Sequence, residues 1–246
     1  MAGHPLARAV PCQLLMARRF FTDLIPPRGP ATLSQKLGHH LGRIVRTSPG
    51  DAVVLFDGKG HETAATVLEV GSREVRVEVG EALVVPLGRS PRLQLDIACA
   101  LPRSARADWL FEHGTEAGVS TFVPLLTERT NRRHEDRAHW QRVLIEACAQ
   151  CDRALLPTVA QTVTLADLCA QPGVAERYVA TPAEIELGPA QTSRALLVVG
   201  PEGGLTDREL ALLVEHGFLP RSLGPLTLRT ETAVLAGATR LLQAPH

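Results

Sequence analysis

Residues 197–206 read Leu197-Val198-Val199-Gly200-Pro201-Glu202-Gly203-Gly204-Leu205-Thr206, an apolar run that breaks into a glycine-rich loop. The apolar run predicts a central, buried strand of a parallel sheet. Thr206, followed three residues later by Glu209, is a capping box and predicts a helix over residues 207–216. Because ligands of open α/β sheets lie beyond the carboxyl ends of the strands, we expect a small-molecule site at this loop.

A second segment repeats this arrangement and reads Leu223-Gly224-Pro225-Leu226-Thr227-Leu228-Arg229-Thr230-Glu231-Thr232-Ala233. It leaves a strand and opens a helix predicted over residues 231–242. Arg229 directly precedes that helix, where the helix dipole disfavours a cation, and such a residue often serves a site. Glu231 lies in the first helical turn, where a functional acid and a merely dipole-favoured acid are equally consistent with the sequence. Neither segment is GxGxxG or a P-loop, which favours an adenosine-type cofactor over a dinucleotide or a nucleoside triphosphate.

Composition limits the class of protein. The 246 residues carry 26 Lys and Arg against 26 Asp and Glu, so the net charge indicates no partner. No apolar run reaches the roughly 18 residues of a membrane span. An odd number of cysteines without a secretory signal predicts free thiols in the cytoplasm. Cys148 and Cys151 have CxxC spacing inside a helical pattern, which favours a helix core over a metal site, and we expect no metal.

Strands and helices divide the chain into two regions. Residues 52–79 predict a small antiparallel sheet with a hairpin turn at residues 57–60, preceded by a helix over residues 34–47. Residues 86–91 resemble a linker. After it, strands at residues 93–101, 119–126, 178–181 and 195–199 alternate with helices at 105–117, 134–153 and 207–216, which predicts a mostly parallel sheet covered on both sides. Residues 1–17 are expected to be a disordered extension, with Met16 as a second possible start.

Basic residues form two groups. Arg129, Arg132, Arg133 and Arg137 follow a predicted strand and suit a phosphate backbone, although a solvated loop explains them equally well. Arg18, Arg19, Arg43 and Arg46 could form a second basic face on the small N-terminal module. These groups make a nucleic acid a candidate partner despite the zero net charge.

Two C-terminal signatures and several weaker matches resemble the RsmE family, the 16S rRNA uridine-N3 methyltransferases of the SPOUT superfamily. The family patterns GPEGG-x-[ST] and LG-x-x-x-LR-x-ETA are similar to residues 200–206 and 223–233. Weaker matches are residues 40–46 with 55–58, the Glu116-Ala117-Gly118-Val119 segment, and Glu146, Gln150 and Arg153 on one helix. The resemblance covers nearly the whole chain from Arg18 onward.

The resemblance implies an α/β fold with a SPOUT-type parallel sheet and a deep trefoil knot over residues 91–246. It implies a small PUA-like, RNA-binding β-barrel domain over residues 18–87, a homodimer, and no membrane partner. The reaction implied is S-adenosylmethionine-dependent methylation of N3 of a uridine in small-subunit ribosomal RNA. The cofactor-binding residues implied are Thr181, Pro182, Val199, Gly200, Pro201, Glu202, Gly203, Gly204, Leu223, Gly224, Leu226, Leu228, Thr230, Thr232 and Ala233.

For the chemistry, we hypothesise that Arg229 orients the uracil or stabilises its developing negative charge. Glu231 or Glu202 then takes the N3 proton, unless solvent does so. The expected RNA-binding residues are Arg18, Arg19, His40, Arg43, Arg46, Arg129, Arg132 and Arg133.

The sequence departs from the family pattern at three places. His113 stands where Lys is common, Ala117 replaces Leu, and Leu226-Thr227 replaces a pair such as Arg-Ile. These departures leave two alternatives open. The chain could be a catalytically altered member that serves as an RNA-binding or ribosome-assembly factor, or a SPOUT methyltransferase acting on another RNA.

Overall fold

The computed structural model describes residues 17–34, 47–71, 74–83, 93–130, 135–171 and 176–243. Contacts divide the chain into two compact units. The first comprises Met1–Ser90 with Cys148–Leu156, and the second comprises Pro91–Ala147 with Pro157–His246. The sequence did not predict that Cys148–Leu156 would group with the first unit. This segment follows the rest of that unit by more than fifty positions in the sequence.

The first unit contains a five-stranded sheet in the order β1-β3-β4-β5-β2. Its strands are β1 (Arg18–Phe21), β2 (Gly29–Ser34), β3 (Ala52–Phe56), β4 (Glu62–Val70) and β5 (Glu74–Leu83). Strands β1 and β3 are parallel, and the other neighbours are antiparallel. Along β5, Val75, Val77 and Val79 are buried while Arg76 and Glu78 are exposed. The predicted antiparallel sheet with one polar face is therefore confirmed.

The prediction for the segment before this sheet was partly wrong. The helix expected over residues 34–47 lies almost wholly outside the described residues, but Ser34 itself ends strand β2. Strand β2 pairs antiparallel with β5, with Leu33 opposite Val75. This long-range pairing, which has no local sequence signal, sets the conformation of Gly29–Ser34. The expected linker at residues 86–91 also lies outside the described residues.

The second unit is a parallel sheet with helices. Its strands are β6 (Gln94–Cys99), β7 (Thr121–Leu126), β8 (Thr158–Val159), β9 (Val163–Thr164), β10 (Glu176–Ala180), β11 (Arg194–Val199) and β12 (Leu219–Arg221). Its helices are α1 (Ser104–Glu116), α2 (Arg137–Gln150), α3 (Leu165–Ala170), α4 (Asp207–Glu215) and α5 (Thr230–Leu242). The strand order is β12-β10-β11-β6-β7-β8, with β9 beside β7, and these pairings are parallel. The predicted α/β fold with a parallel sheet is confirmed.

Strand β11 lies between β10 and β6, and its residues from Ala195 to Val199 are buried. It is thus the central strand that the apolar run predicts. Helix α5 packs against β11, β6 and α1. At Gly237 of this helix, an added Cβ would overlap Cδ2 of Leu197. Glycine at this position therefore lets the last helix approach the central strand closely.

The cysteines of the described residues form no disulfide bond. Burial raises the pKa of Cys99 to about 12. Burial likewise raises the pKa of Cys148, the first cysteine of the CxxC pair, to about 12. Both thiols are therefore protonated and unreactive at neutral pH. Within the described ranges, no group of His, Cys, Asp and Glu side chains could hold a metal ion, and no helix is long and apolar enough to cross a bilayer.

Candidate active site

Three loops leave the sheet side by side at the carboxyl ends of neighbouring parallel strands. Ala180 of β10 is in register with Val199 of β11 and with Arg221 of β12. The amide of Thr181 donates a hydrogen bond of 3.1 Å to the carbonyl oxygen of Arg221. The three predicted cofactor segments lie at these strand ends and in the loops that follow them, at residues 181–182, 199–204 and 223–233. The structure thus brings together three separate segments, the outer two of which are more than forty residues apart in the sequence.

The first glycine-rich loop ends in the predicted capping box. The side chain of Thr206 accepts a hydrogen bond from the Glu209 amide (3.3 Å), and the side chain of Glu209 accepts one from the Thr206 amide (2.8 Å). The second carboxylate oxygen of Glu209 accepts a bond from the amide of Glu128, at 2.8 Å. Gly204 adopts a left-handed φ of +73°, a conformation that favours glycine. The loop is therefore held at its helix end by a satisfied, buried carboxylate.

The second loop is tied to its two neighbours by hydrogen bonds. The hydroxyl of Thr230 donates to the carbonyl oxygen of Gly200, at 3.1 Å. The amide of Ser222 donates to the carbonyl of Ile185 and the amide of Leu187 to the carbonyl of Ser222, both at 2.9 Å. These bonds, one from a side chain and two between backbone groups, connect all three loops at the sheet edge.

Glu231 is a buried carboxylate at the point where the loops meet. It lies in the first turn of α5, and its side chain is 8% exposed. Its Oε2 atom is buried and has no hydrogen-bond partner within the described part of the chain. Its Oε1 atom lies 3.8 Å from Nη1 of Arg106. A buried carboxylate oxygen without a partner is disfavoured unless a bound group supplies the missing hydrogen bond.

Arg106 was missed by the sequence analysis. It comes from the first turn of α1, and its Nη1 also forms a 2.9 Å ion pair with Oε1 of Glu202. One signal could have found it. A cation in the first turn of a helix opposes the helix dipole, and that turn contains no acid. This is the argument that singled out Arg229.

Arg229 is the N-cap residue of α5 and has extended backbone angles, with φ −68° and ψ 156°. Its carbonyl accepts the 2.8 Å hydrogen bond from the amide of Ala233. The side chain makes no capping hydrogen bond and is exposed to solvent. The predicted position directly before the helix is confirmed, and the guanidinium is accessible to a substrate.

Other predicted cofactor residues differ in their exposure. The side chains of Val199 and Ala233 are buried in the core. Thr232 is exposed, as is Leu226, which is 77% exposed. Leu226, one of the departures from the family pattern, thus exposes a large apolar side chain to solvent on the second loop.

The remaining departures lie on α1. The ring of His113 stacks on that of Trp109, with a centroid distance of 4.1 Å. The Nδ1 atom of His113 lies 3.0 Å from the carbonyl oxygen of Trp109, so this nitrogen donates to it. Ala117 is the C-cap residue of the helix. Both residues have local structural roles on α1.

The predicted RNA-binding residues have mixed positions. Arg18 is exposed on β1. Arg129 is exposed, and its guanidinium donates to the carbonyl of Gly203, so it also braces the first glycine-rich loop. Five of the predicted residues lie outside the described residues: His40, Arg43, Arg46, Arg132 and Arg133.

Arg19 requires a correction. Its side chain is 3% exposed and pairs with Glu62, which is equally buried. It also lies 3.6 Å from Asp152 and over the ring of Phe56. A guanidinium enclosed in this way cannot reach a phosphate, so its expected RNA contact is contradicted. Its charge instead balances a buried carboxylate in the first unit.

A separate open groove runs beside β7, α3 and α4. Leu126, Leu165 and Leu212 supply its apolar lining. Its buried carboxylate, Glu209, already accepts hydrogen bonds on both oxygens. We therefore place the candidate site at the three loops, where one oxygen of Glu231 has no partner among the described residues.

Comparison with known proteins defines the class. The profile of the family described as RNA methyltransferase domain matches residues 89–242, and that of RNA methyltransferase PUA domain matches residues 33–80. The chain belongs to this RNA methyltransferase family, and its N-terminal part contains a PUA-like domain.

Several similar proteins share one name. A Mycobacterium bovis protein named Ribosomal RNA small subunit methyltransferase E is 32% identical, over 93% of this chain and 93% of its own length. This confirms the resemblance to the RsmE family that the two C-terminal signatures indicate.

Two solved structures superpose with a TM-score of 0.82. One is a Ribosomal RNA small subunit methyltransferase E from Neisseria gonorrhoeae bound to S-adenosyl methionine, which is 26% identical. The other is a Legionella pneumophila protein in complex with the bound cofactor SAM, which is 31% identical. Each comparison covers 90% of this chain and 95% of the other.

Proposed function

We propose that this chain transfers a methyl group from S-adenosylmethionine to N3 of a uridine in 16S, small-subunit ribosomal RNA. The observation that carries the proposal is the convergence of three loops at one sheet edge around a buried carboxylate. One oxygen of this carboxylate has no partner in the part of the chain that the structure describes. The family membership and the SAM-bound relatives support the same conclusion.

The residues present fit an adenosine-type cofactor. Ligands of α/β sheets lie beyond the carboxyl ends of parallel strands, where all three loops lie. Their backbone amide and carbonyl groups, at residues 181–182, 199–204 and 223–233, would hold the adenine and ribose. S-adenosylmethionine, when bound, supplies an electrophilic methyl group on its sulfonium.

Methylation at N3 requires removal of the N3 proton. Glu231 is the better candidate for the base, because Glu202 is 47% exposed and already paired with Arg106 at 2.9 Å. Oε2 of Glu231 can accept a hydrogen bond from an N3–H group and then its proton. The exposed guanidinium of Arg229 would orient the uracil and stabilise negative charge on its carbonyl oxygens.

N3 lies on the Watson–Crick edge of uridine, so the target base must be unpaired or turned out of a helix. Arg18 and Arg129, both exposed, are proposed to contact the RNA backbone. The predicted basic residues outside the described ranges are proposed to contact the RNA as well.

The family resemblance also supports finer features. We propose a deep trefoil knot in the sheet of the second unit, a closed barrel in the PUA-like domain, and a cytoplasmic homodimer. We assign the RNA-binding domain to residues 18–87 and the methyltransferase domain to residues 91–246.

The test uses small-subunit RNA from a strain that lacks this gene. The RNA, free or assembled into subunits, is incubated with the purified chain and methyl-labelled S-adenosylmethionine, then digested to nucleosides for mass spectrometry. Label in N3-methyluridine is the expected result. Label in a different nucleoside or position would show another RNA specificity, and cofactor binding without label in any RNA would show a binding factor.

A further inference from the structure

Arg106 connects helix α1 with two of the three loops. Its Nη1 lies 2.9 Å from Oε1 of Glu202, in the first glycine-rich loop, and 3.8 Å from Oε1 of Glu231, in α5. Helix α1 packs directly against α5, which brings the guanidinium to this position. One cation is therefore shared by the two candidate bases, Glu202 and Glu231.

The two carboxylates differ in their surroundings. Glu202 and Arg106 are 47% and 39% exposed, and a pair this accessible contributes little to stability. Glu231 is 8% exposed, so solvent screens its interaction with Arg106 far less. Loss of Arg106 should therefore affect Glu231 more than Glu202.

The two oxygens of Glu231 are also in different environments. Oε1 faces Arg106, whereas Oε2 is buried without a partner among the described residues. A guanidinium near one oxygen restrains the rotation of the carboxylate and determines which oxygen remains available.

We propose that Arg106 is a positioning residue for methyl transfer, an inference that rests on the function proposed above. It holds Oε1 of Glu231 and thereby directs Oε2 toward the substrate. In this step the N3–H bond would break with its proton passing to Oε2, and the N3 electron pair would form the bond to the methyl carbon. The bond from that carbon to the sulfonium sulfur would break at the same time, with its electron pair kept by sulfur, so that the cofactor would leave as the neutral thioether. By pairing with Glu202, Arg106 also keeps that second carboxylate away from N3.

The test compares Arg106→Met and Arg106→Lys with a matched control, Arg240→Met. Arg240 lies at the other end of α5, and its ion pair with Glu186 has a similar length of 3.1 Å. Three quantities are measured for each: the melting temperature, the Kd for S-adenosylmethionine by calorimetry, and the single-turnover methylation rate at saturating cofactor.

We expect Arg106→Met to lower the single-turnover rate roughly 10- to 100-fold, a part of the 10²–10⁴ that a positioned base supplies. The Kd for the cofactor should change by less than about threefold, because the substitution should affect the transition state and not the binding of the cofactor in the ground state. Arg106→Lys keeps the charge and should recover a large part of the rate, whereas Arg240→Met should match the wild type.

A wild-type rate for Arg106→Met, or a lysine variant no better than the methionine variant, would overturn the inference. So would a rate loss matched by an equal loss of cofactor affinity or of folded protein. If the wild-type chain itself transfers no methyl group, the proposed function fails, and this inference fails with it. An active wild type with an insensitive Arg106 removes the inference alone.

Discussion

The hydroxyl of Thr230 donates a hydrogen bond of 3.1 Å to the carbonyl oxygen of Gly200. This bond joins the first turn of the last helix to the first residue after the central strand. Thr230 is buried, so solvent cannot replace the bond when it is removed. The geometry of the candidate site therefore depends on Thr230 as well as on the predicted base, Glu231, and the substrate-orienting Arg229.

We expect Thr230→Val, which keeps the side-chain shape, to lower the free energy of unfolding by about 1–2 kcal/mol because the Gly200 carbonyl loses its partner. The Kd for S-adenosylmethionine should rise about three- to tenfold, since 1.4 kcal/mol corresponds to tenfold. Calorimetry and urea denaturation measure the two effects. Thr239→Val is the control, because Thr239 is an exposed residue of the same helix that bonds only to that helix's own carbonyls. Equal effects of the two substitutions would contradict the role given to Thr230.

A larger residue at Gly237 should disturb the packing of the same helix on the central strand. A Cβ there would overlap Leu197, which is fully buried, so Gly237→Ala should lower the free energy of unfolding by about 1–3 kcal/mol. At Gly188, no atom lies within 4 Å of an added Cβ, and Gly188→Ala should leave stability unchanged within about 0.5 kcal/mol. Urea denaturation of both variants checks this. Similar stability of the two would mean that α5 does not require glycine to approach β11.

The corrected role of Arg19 predicts a clear contrast with its neighbour Arg18. Arg19→Met leaves Glu62 buried without its cation and should destabilise the protein by about 3–5 kcal/mol. Arg18→Met changes an exposed side chain and should keep stability within about 0.5 kcal/mol.

In RNA-binding titrations, Arg18→Met should reduce the slope of log K against log salt concentration by about 1. A folded and stable Arg19→Met variant with this reduced slope would restore the original assignment of Arg19 to the RNA surface.

The stability of the protein should depend on pH through Glu176, at the start of β10. Burial alone would raise the pKa of Glu176, but hydrogen bonds from Tyr178, Thr192 and Gln191 outweigh it and hold the pKa below its ordinary value of 4.5. A carboxyl with a lowered pKa in the folded state stabilises the protein above its unfolded pKa and loses this effect as pH falls through the folded pKa.

Glu176→Gln should therefore be less stable than the wild type at about pH 7, and the difference should shrink as the pH falls below about 4.5. Chemical denaturation at several pH values measures it. Glu215→Gln, at an exposed position on α4, is the control and should follow the wild-type curve. A Glu176→Gln deficit that persists unchanged at low pH would show that packing, rather than charge, explains it.

Local signals in the sequence predicted much of the site's framework. The Thr206 capping box, the buried strand before it and the helix beginning near Glu231 depend on residues within a few positions of each other, and the structure contains all three. The fold of the second unit follows from the same alternation of strands and helices.

Contacts between distant residues could not be predicted in this way. Arg106 reaches Glu231 across 125 positions, and only the packing of α1 on α5 brings them together. The burial of Arg19 depends on Glu62, 43 positions away, and no local pattern distinguishes it from exposed Arg18. Strand β2 likewise forms through its pairing with β5, against the helix expected to begin at Ser34.

The central claim is that Glu231 removes the N3 proton at a site built by the three loops. The most direct test is the single-turnover methylation rate of Glu231→Gln at saturating S-adenosylmethionine, with the cofactor Kd measured in parallel. We predict a rate lowered by about 10²–10⁴, as for loss of a positioned base, with the Kd changed by less than about threefold. A Glu231→Gln variant that methylates uridine at the wild-type rate would contradict the account.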